Sequence, residues 1–214
     1  HRTKRSPASA TELMPVPEKI VLASGNPRKV REIRRILGEF GVEIVPQTDL
    51  GVGDADETGA SFVENALIKA RHASLMTGLP AIADDSGLVV DALDGRPGVY
   101  SARYSGAEAT DDSNIDKLLQ ELKGVPDDKR TAAFHCCAVY VTTDGSTSLV
   151  AEGRWDGRIL TQRRGTGGFG YDPVFLDPEC ARTAAELGPE LKNARSHRGK
   201  ALTALAGMLR EHYA

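Results

Sequence analysis

Apolar residues recur along the chain with two different periods, and the points where the period changes divide it into strands and helices. Lys19-Ile20-Val21-Leu22-Ala23 is a short continuous apolar run, the signature of a buried strand. After Ser24 the spacing switches. Val30, Ile33, Leu37 and Phe40 form the stripe of an amphipathic helix, with Asn26 at the N-cap and Pro27 at the first helical position. Gly41 ends that helix and 42–45 resumes an extended run. Ser61 followed by Glu64 is a capping-box pattern that predicts a second helix to about Thr77. Phe62, Ala66, Ala70 and Ala73 mark its inner face, and Asn65, Lys69 and His72 lie along a neighbouring polar stripe. Residues 79–83 predict another short buried strand, and Leu88-Val89-Val90 continues extended. Residues 97–106 read as loop and 111–123 as a third helix carried by Ile115, Leu118, Leu119 and Leu122. The long runs 131–142 and 147–158 flank Asp144-Gly145, a hairpin signal. A short strand at Val174-Phe175 precedes a closing helix from about Ser196, with Ala201, Leu202, Leu205, Met208 and Leu209 at helical spacing. The strand–turn–helix–strand opening implies an α/β protein.

Composition narrows the function classes. A chain of 214 residues can bury a core as one domain or two closely packed lobes. Residues 1–18 carry no periodic apolar pattern and are expected to be a flexible extension or tag remnant, leaving 19–214 as the folded domain. The net charge of −3 argues against a general nucleic-acid binder. No stretch is long enough to span a membrane and no signal-peptide pattern opens the chain. Cys136, Cys137 and Cys180 have no C-x-x-C or Cys/His spacing, so buried thiols in a reducing cytoplasm are expected rather than structural zinc. On a strand, Cys136 and Cys137 would face opposite ways.

Four stretches carry candidate chemistry. In Ala83-Asp84-Asp85-Ser86-Gly87 two adjacent carboxylates follow an apolar strand, and burying them requires water or a cation. All four of Asp84 to Gly87 are also turn residues, so a turn and a metal site are equally open. Ser24-Gly25-Asn26-Pro27-Arg28-Lys29 opens a helix after a buried strand, a seat for phosphate at unpaired N–H groups, although it is no P-loop. Gly165-Thr166-Gly167-Gly168-Phe169-Gly170 matches G-x-G-x-x-G, but it lies late in the chain with Pro173 close behind, which excludes a dinucleotide fold. Either Phe169 stacks on a planar base, with Gly170 allowing close backbone approach, or it is buried in a tight bend. His197-Arg198 pairs two planar donors at a helix start, while Lys192 reads on spacing as a surface lysine. A metal site, two phosphate-seeking regions, a stacking loop and a donor pair are together what a nucleoside triphosphate requires.

Five motifs in order resemble one family. They are Ser24-Gly25-Asn26-x-x-Lys29, Ala83-Asp84-Asp85-Ser86-Gly87-Leu88, Gly98-x-Tyr100-Ser101-Ala102-Arg103, Gly165 to Pro173, and Ser196-His197-Arg198-Gly199. From about Lys19 onward the chain is similar to the noncanonical purine nucleoside triphosphate pyrophosphatases, the dITP/XTP (inosine triphosphate) pyrophosphatase family. The resemblance implies an elongated two-lobed α/β fold around a long mixed sheet with the active site in the cleft. It implies a homodimer and Mg²⁺-dependent hydrolysis of ITP, dITP and XTP to the monophosphate and pyrophosphate. Carried over by position, Ser24, Gly25, Asn26, Pro27, Arg28, Lys29 and Lys69 would hold the triphosphate. Glu57 and Asp85 would bind the metal with Asp84 in support, and Asp85 would be the proton acceptor. Ser86, Phe169, Gly170, Tyr171, Asp172, Lys192, His197 and Arg198 would contact substrate. Ser24 stands where many relatives have Thr, which keeps the hydroxyl. The pyrophosphatases of the septum-inhibitor (Maf-like) type are a weaker match, because their opening Ser-Pro-Arg-Arg is replaced here by Asn26-Pro27-Arg28-Lys29.

Overall fold

The computed structural model describes residues 15–38 and 41–213. Residues 1–14, the Arg28 side chain and Phe40, expected to extend the first helical stripe, lie outside the described part. The strands are β1 (Lys19–Leu22), β2 (Glu43–Pro46), β3 (Ala81–Val90), β4 (Thr131–Val141), β5 (Ser148–Ile159), β6 (Phe175–Asp177) and β7 (Arg182–Thr183). The helices are α1 (Pro27–Leu37), α2 (Phe62–Thr77), α3 (Asp111–Glu121), α4 (Pro189–Arg195) and α5 (His197–Tyr213). Among the described residues no helix is long and apolar enough to cross a membrane.

The strands form one mixed sheet in the order β2-β1-β3-β4-β5-β6-β7, so the α/β expectation holds. β2, β1 and β3 run parallel, and the remaining neighbours are antiparallel. β3 and β4 pair over their whole common length, from Ala81↔Val141 to Val90↔Ala132. β1 pairs with β3 only through Val21↔Ala81 and Leu22↔Ile82, because the chain then leaves for α1. Beyond that point, over residues 84–87, β3 has no strand partner on the β1 side among the described residues. A free edge in the middle of a sheet is where backbone and side chains can meet a ligand.

Three apolar clusters hold the layers together. α1 and α5 cover one face, packing Ile33, Leu37, Leu202 and Leu205 on Leu22, Ile82 and Tyr140. α2 covers the other face with Ala66, Ala70 and Ala73 against Val21, Ala81, Ala83 and Val139, small side chains that let helix and sheet approach closely. A third cluster, with Leu88, Val90, Ile115, Leu118, Phe134, Trp155 and Phe175, sits at the far end of the long strands. Cys136 belongs to the first cluster and Cys137 to the second, as strand alternation requires, and both are free thiols.

The structure corrects several local expectations. Asp84-Asp85-Ser86-Gly87 is no turn but the middle of β3, because antiparallel pairing with β4 carries the extended backbone through it. Residues 97–106 include a 3₁₀ helix, Gly98–Arg103. β7 and α4 were not anticipated, since neither is long enough to show a hydrophobic period. The capping box at α2 is incomplete. Ser61 Oγ accepts from the Glu64 N–H (3.2 Å), but the Glu64 carboxylate accepts from the Ala60 N–H (2.7 Å).

One close approach fixes the start of α5 against the sheet. A Cβ at Gly153 of β5 would lie 2.0 Å from the His197 carbonyl oxygen and 2.7 Å from the Ala201 nitrogen. Gly153→Ala is therefore expected to cost about 1–3 kcal/mol, the usual penalty for overpacking. Urea denaturation reads this as a lower midpoint at unchanged m-value, and wild-type stability would contradict the packing described.

Candidate active site

Strand alternation sends Asp84 and Asp85 to opposite faces of β3, and a different helix answers each. Asp84 faces α1 and α5. Lys29, in the first turn of α1, lies 3.2 Å from Oδ1 and 3.1 Å from Oδ2, and Arg198 Nε lies 3.2 Å from Oδ2. Burial works against its charge, but Lys29 and Arg198 outweigh it and hold the carboxyl well below the usual range. Asp84 is thus a buried carboxylate compensated by two cations.

Asp85 faces α2. Lys69 donates to its Oδ1 (3.1 Å) and also pairs with Glu57 Oε1 (2.9 Å), so one ammonium bridges two carboxylates. Asp85 Oδ2 is buried and makes no hydrogen bond of normal geometry, although the Asn65 side chain lies near enough to favour the charged carboxylate. Burial, with Glu57 nearby, outweighs Lys69 and pushes the Asp85 carboxyl up. Lys69 is held above the usual lysine range because Asp85, Asp84 and Glu57 outweigh the effect of its own burial. Glu57 is reached on its second oxygen by Arg103 at 3.6 Å.

The phosphate-seeking turn follows the strand whose end opens the sheet edge. The Asn26 N–H donates to Ser24 Oγ (3.1 Å), and the Val30 N–H donates to the Asn26 carbonyl (3.0 Å). Asn26 thus occupies the N-cap position and Pro27 the first helical position, as expected. Gly25, Asn26 and Pro27 are exposed beside the partly buried Lys29.

On the Asp84 side lies an aromatic platform. Phe169 is about a third exposed (36%), which rules out the buried-bend alternative. Its ring is flanked by two cations, Lys192 Nζ at 4.9 Å and Arg198 Cζ at 5.6 Å from the centroid. Its N–H donates to Asp172 Oδ2 (2.8 Å), and Lys192 pairs with the same oxygen. Lys192 is therefore not the surface lysine its spacing suggested, since α4 aims it at the loop. The glycine that makes room is Gly168 (φ +75°), where a Cβ would fall 2.0 Å from Asp172 Oδ2. Gly170 (φ +59°) has open space around it and is required by its backbone angle, not by close approach. Its N–H donates to Asp111 Oδ2 (2.8 Å), and the neighbouring Tyr171 hydroxyl donates to the Ser101 carbonyl (2.8 Å).

Arg198 ties the platform to β3. Besides Asp84, it donates to Ser86 Oγ through Nη2 (3.1 Å) and to Glu32 through Nη1 (3.3 Å). His197 is buried and stacked on Phe134, with ring centroids 4.8 Å apart. Burial, reinforced by Arg198 and Lys192, holds it well below the usual histidine range, so it is neutral, and its Nδ1 has no partner. Lys29, Lys69 and Arg198 thus converge on residues 84–86 of β3, with Glu57 joined through Lys69 and Phe169 and Lys192 through Arg198, whereas Gly170 and Tyr171 bond away from it, to Asp111 and Ser101. Glu32 and Arg103 were missed. Arg103 lies inside a motif already singled out, and Glu32 follows Lys29 by three positions on the same helix face.

A divalent cation can be tested against this donor set. Among the described residues there is no cluster of three His, Cys, Asp or Glu side chains suited to a metal. Magnesium needs no such cage, being held by one or two carboxylates plus substrate oxygens and water. Glu57 and Asp85 supply two hard oxygen donors close enough to share one ammonium, and the orphaned Asp85 Oδ2 is an unused site for a cation or its water. The residues present fit that ion.

Fold and site together define an α/β protein with a cation-lined carboxylate centre on a free strand edge and an aromatic platform beside it. The Ham1 family model matches residues 20–208. A dITP/XTP pyrophosphatase of Pectobacterium atrosepticum is 59% identical over 194 residues, covering 90% of this chain and 98% of that protein. One of Escherichia coli is 58% identical over the same shares. The solved structure of a HAM1 protein from Coxiella burnetii superposes with a TM-score of 0.85 at 49% identity, covering 90% of this chain and 98% of that one. A nucleoside-triphosphatase / dITP/XTP pyrophosphatase from Mycobacterium abscessus gives 0.74 at 52% identity, covering 87% and 98%. The chain belongs to the Ham1 family.

Asp84 and Asp85 should differ sharply when neutralised. Asp84→Asn takes from Lys29 its ion-pair partner and leaves buried Arg198 with Glu32 alone, and it is expected to cost about 3–5 kcal/mol. Asp85→Asn leaves Lys69 its Glu57 partner and should cost distinctly less. Thermal or urea denaturation of the two variants decides this, and equal losses would refute the division.

Proposed function

We propose that this protein hydrolyses noncanonical purine nucleoside triphosphates, ITP, dITP and XTP, to the monophosphate and pyrophosphate in the presence of Mg²⁺. The observation that carries the reading is that one strand, β3, carries the Lys69-bridged Glu57/Asp85 pair on one side and, through Asp84, Ser86 and Arg198, the cation-flanked Phe169 ring on the other. The names of the closely similar relatives support the same substrate class.

Mg²⁺ held by Glu57 and Asp85 would supply neutralising charge next to the phosphates. The chain's own groups do the rest. The base stacks on Phe169, and the triphosphate lies along Ser24 to Lys29 and Lys69. Water attacks the α-phosphorus, the bond from that phosphorus to the bridging oxygen breaks, and pyrophosphate leaves. Asp85, one of whose oxygens is bonded to Lys69, orients the water together with Glu57 and draws off its proton, which then passes to solvent. Lys29 and Lys69 stabilise the charge growing on the leaving group.

Base choice follows from donor and acceptor pattern. Hypoxanthine and xanthine offer O6 as an acceptor where adenine offers an amino donor. Arg198 uses three of its five N–H donors on Asp84, Ser86 and Glu32, which leaves two for the base. Neutral His197 contributes a ring nitrogen rather than a charge. An unmatched buried donor costs about 1–3 kcal/mol, and sites built on such contacts discriminate by about 10⁴–10⁵.

Pyrophosphate release from ITP, measured with Mg²⁺ and again with chelator, tests the reading. Release with the metal and none without it is expected; no release in either case would refute it. Asp85→Asn should abolish turnover while triphosphate binding largely survives, and retained turnover would remove Asp85 from the chemistry. Arg198→Ala should narrow the ITP-over-ATP ratio of kcat/KM, whereas an unchanged ratio would take Arg198 out of base recognition.

A further inference from the structure

Arg103 closes the motif Gly98-x-Tyr100-Ser101-Ala102-Arg103, and none of the roles above uses it. We propose that Arg103 is a further ligand of the substrate's polyphosphate chain, acting from the side of Glu57 opposite Lys69. The assignment rests on the nucleotide reading of the site and deepens it.

Three observations lead there. First, the backbone behind Arg103 is fixed. Ser101 Oγ accepts from the Leu88 N–H of β3 (2.8 Å) and donates to the Gly98 carbonyl (2.6 Å). The Ser101 carbonyl accepts from Asn114 Nδ2 (3.3 Å) and the Tyr171 hydroxyl (2.8 Å), and the Ala102 carbonyl also accepts from Asn114 (3.1 Å). The 3₁₀ helix that ends in Arg103 is thus riveted to β3 three residues beyond Asp85.

Second, the side chain itself is loosely held. It is 44% exposed, its guanidinium lies 3.6 Å from Glu57 Oε2, longer than a hydrogen bond, and its flat face rests 5.1 Å from the centroid of the exposed Tyr100 ring. An arginine present only to brace a carboxylate is expected to close on it with two parallel N–H bonds. This one keeps its fork open at the mouth of the centre, and that fork matches two phosphate oxygens.

Third, the charges balance only with Arg103 included. Lys29 is committed to Asp84, Lys69 to Asp85 and Glu57, and Arg198 to Asp84 and Glu32. Among the protein's own groups, without Arg103 the carboxylates of this connected cluster outnumber its cations, an unfavourable face for a polyanion before any metal ion is bound. Arg103 is also the cation of that cluster with the most solvent access, so it can turn from Glu57 to an arriving phosphate without being dug out of a core.

Calorimetric titration with inorganic tripolyphosphate, with and without Mg²⁺, tests this on the full chain. Arg103→Gln should weaken tripolyphosphate binding about 10-fold or more, in line with loss of a charge-assisted contact. It should raise the KM for ITP in proportion. Arg103→Lys, which keeps the charge but not the fork, should recover part of the affinity. Lys19→Gln, an exposed charge at the start of β1, is the control and should bind as wild type. Arg103→Gln with tripolyphosphate affinity within about twofold of wild type would overturn the assignment, even with a lowered Tm, because it would leave Arg103 only a brace for Glu57. A wild type that hydrolyses ITP alongside such an unaffected variant defeats the Arg103 assignment alone. A wild type that neither binds tripolyphosphate nor releases pyrophosphate from ITP defeats the proposed function and the assignment with it.

Discussion

Two neighbouring aspartates in an extended strand must point to opposite sides of a sheet, and both are buried here. That constraint dictates much of the remaining arrangement. A buried carboxylate needs a partner on its own side, so one helix must deliver a lysine to each face. α1 brings Lys29 to Asp84 within its first turn, and α2 brings Lys69 to Asp85 from its middle. The start of α5 adds Arg198 on the Asp84 side. Such buried pairs contribute little net stability. What they fix is position, since strand β3 and three helices meet at one pair of residues.

The two carboxylates leave that constraint in different states. Asp84 is surrounded by Lys29 and Arg198, which hold its carboxyl well below the usual range despite its burial. Asp85 shares its lysine with Glu57, keeps one oxygen uncommitted and is pushed upward by burial. Environment therefore divides one residue type into an electrostatic anchor and a carboxyl with an oxygen to spare, the kind of separation that acid–base sites commonly rely on. The anchor also reaches the platform, because the guanidinium that neutralises Asp84 lies over the Phe169 ring and bonds to Ser86. Under the proposed function, recognition of a planar base and compensation of a buried charge would share a single side chain.

Much of this was legible in the sequence because it is local. The Ala-rich inner face of α2, the Asn26-Pro27 start of α1 and the Asp144-Gly145 hairpin each declare themselves within a few residues. The site motifs were legible as motifs, and the family they resemble is the one to which the chain belongs. What the sequence left open was pairing across distance. Asp84 to Gly87 have turn chemistry, and only the long ladder to β4 makes them strand. Lys192 looked like a surface residue because α4 is too short to show a period, yet that helix turns it onto Asp172 and Phe169. The bridging of Glu57 and Asp85 by Lys69 joins residues from a loop, a strand and a helix, which no spacing rule connects.

The central claim is that attack occurs at the α-phosphorus, with the base held at Phe169 and the water oriented by Asp85. Turnover of ITP in ¹⁸O-water, with mass spectrometry of both products, tests it most directly. The label is expected in the nucleoside monophosphate, with unlabelled pyrophosphate. Label in the pyrophosphate, or release of orthophosphate in its place, would contradict it.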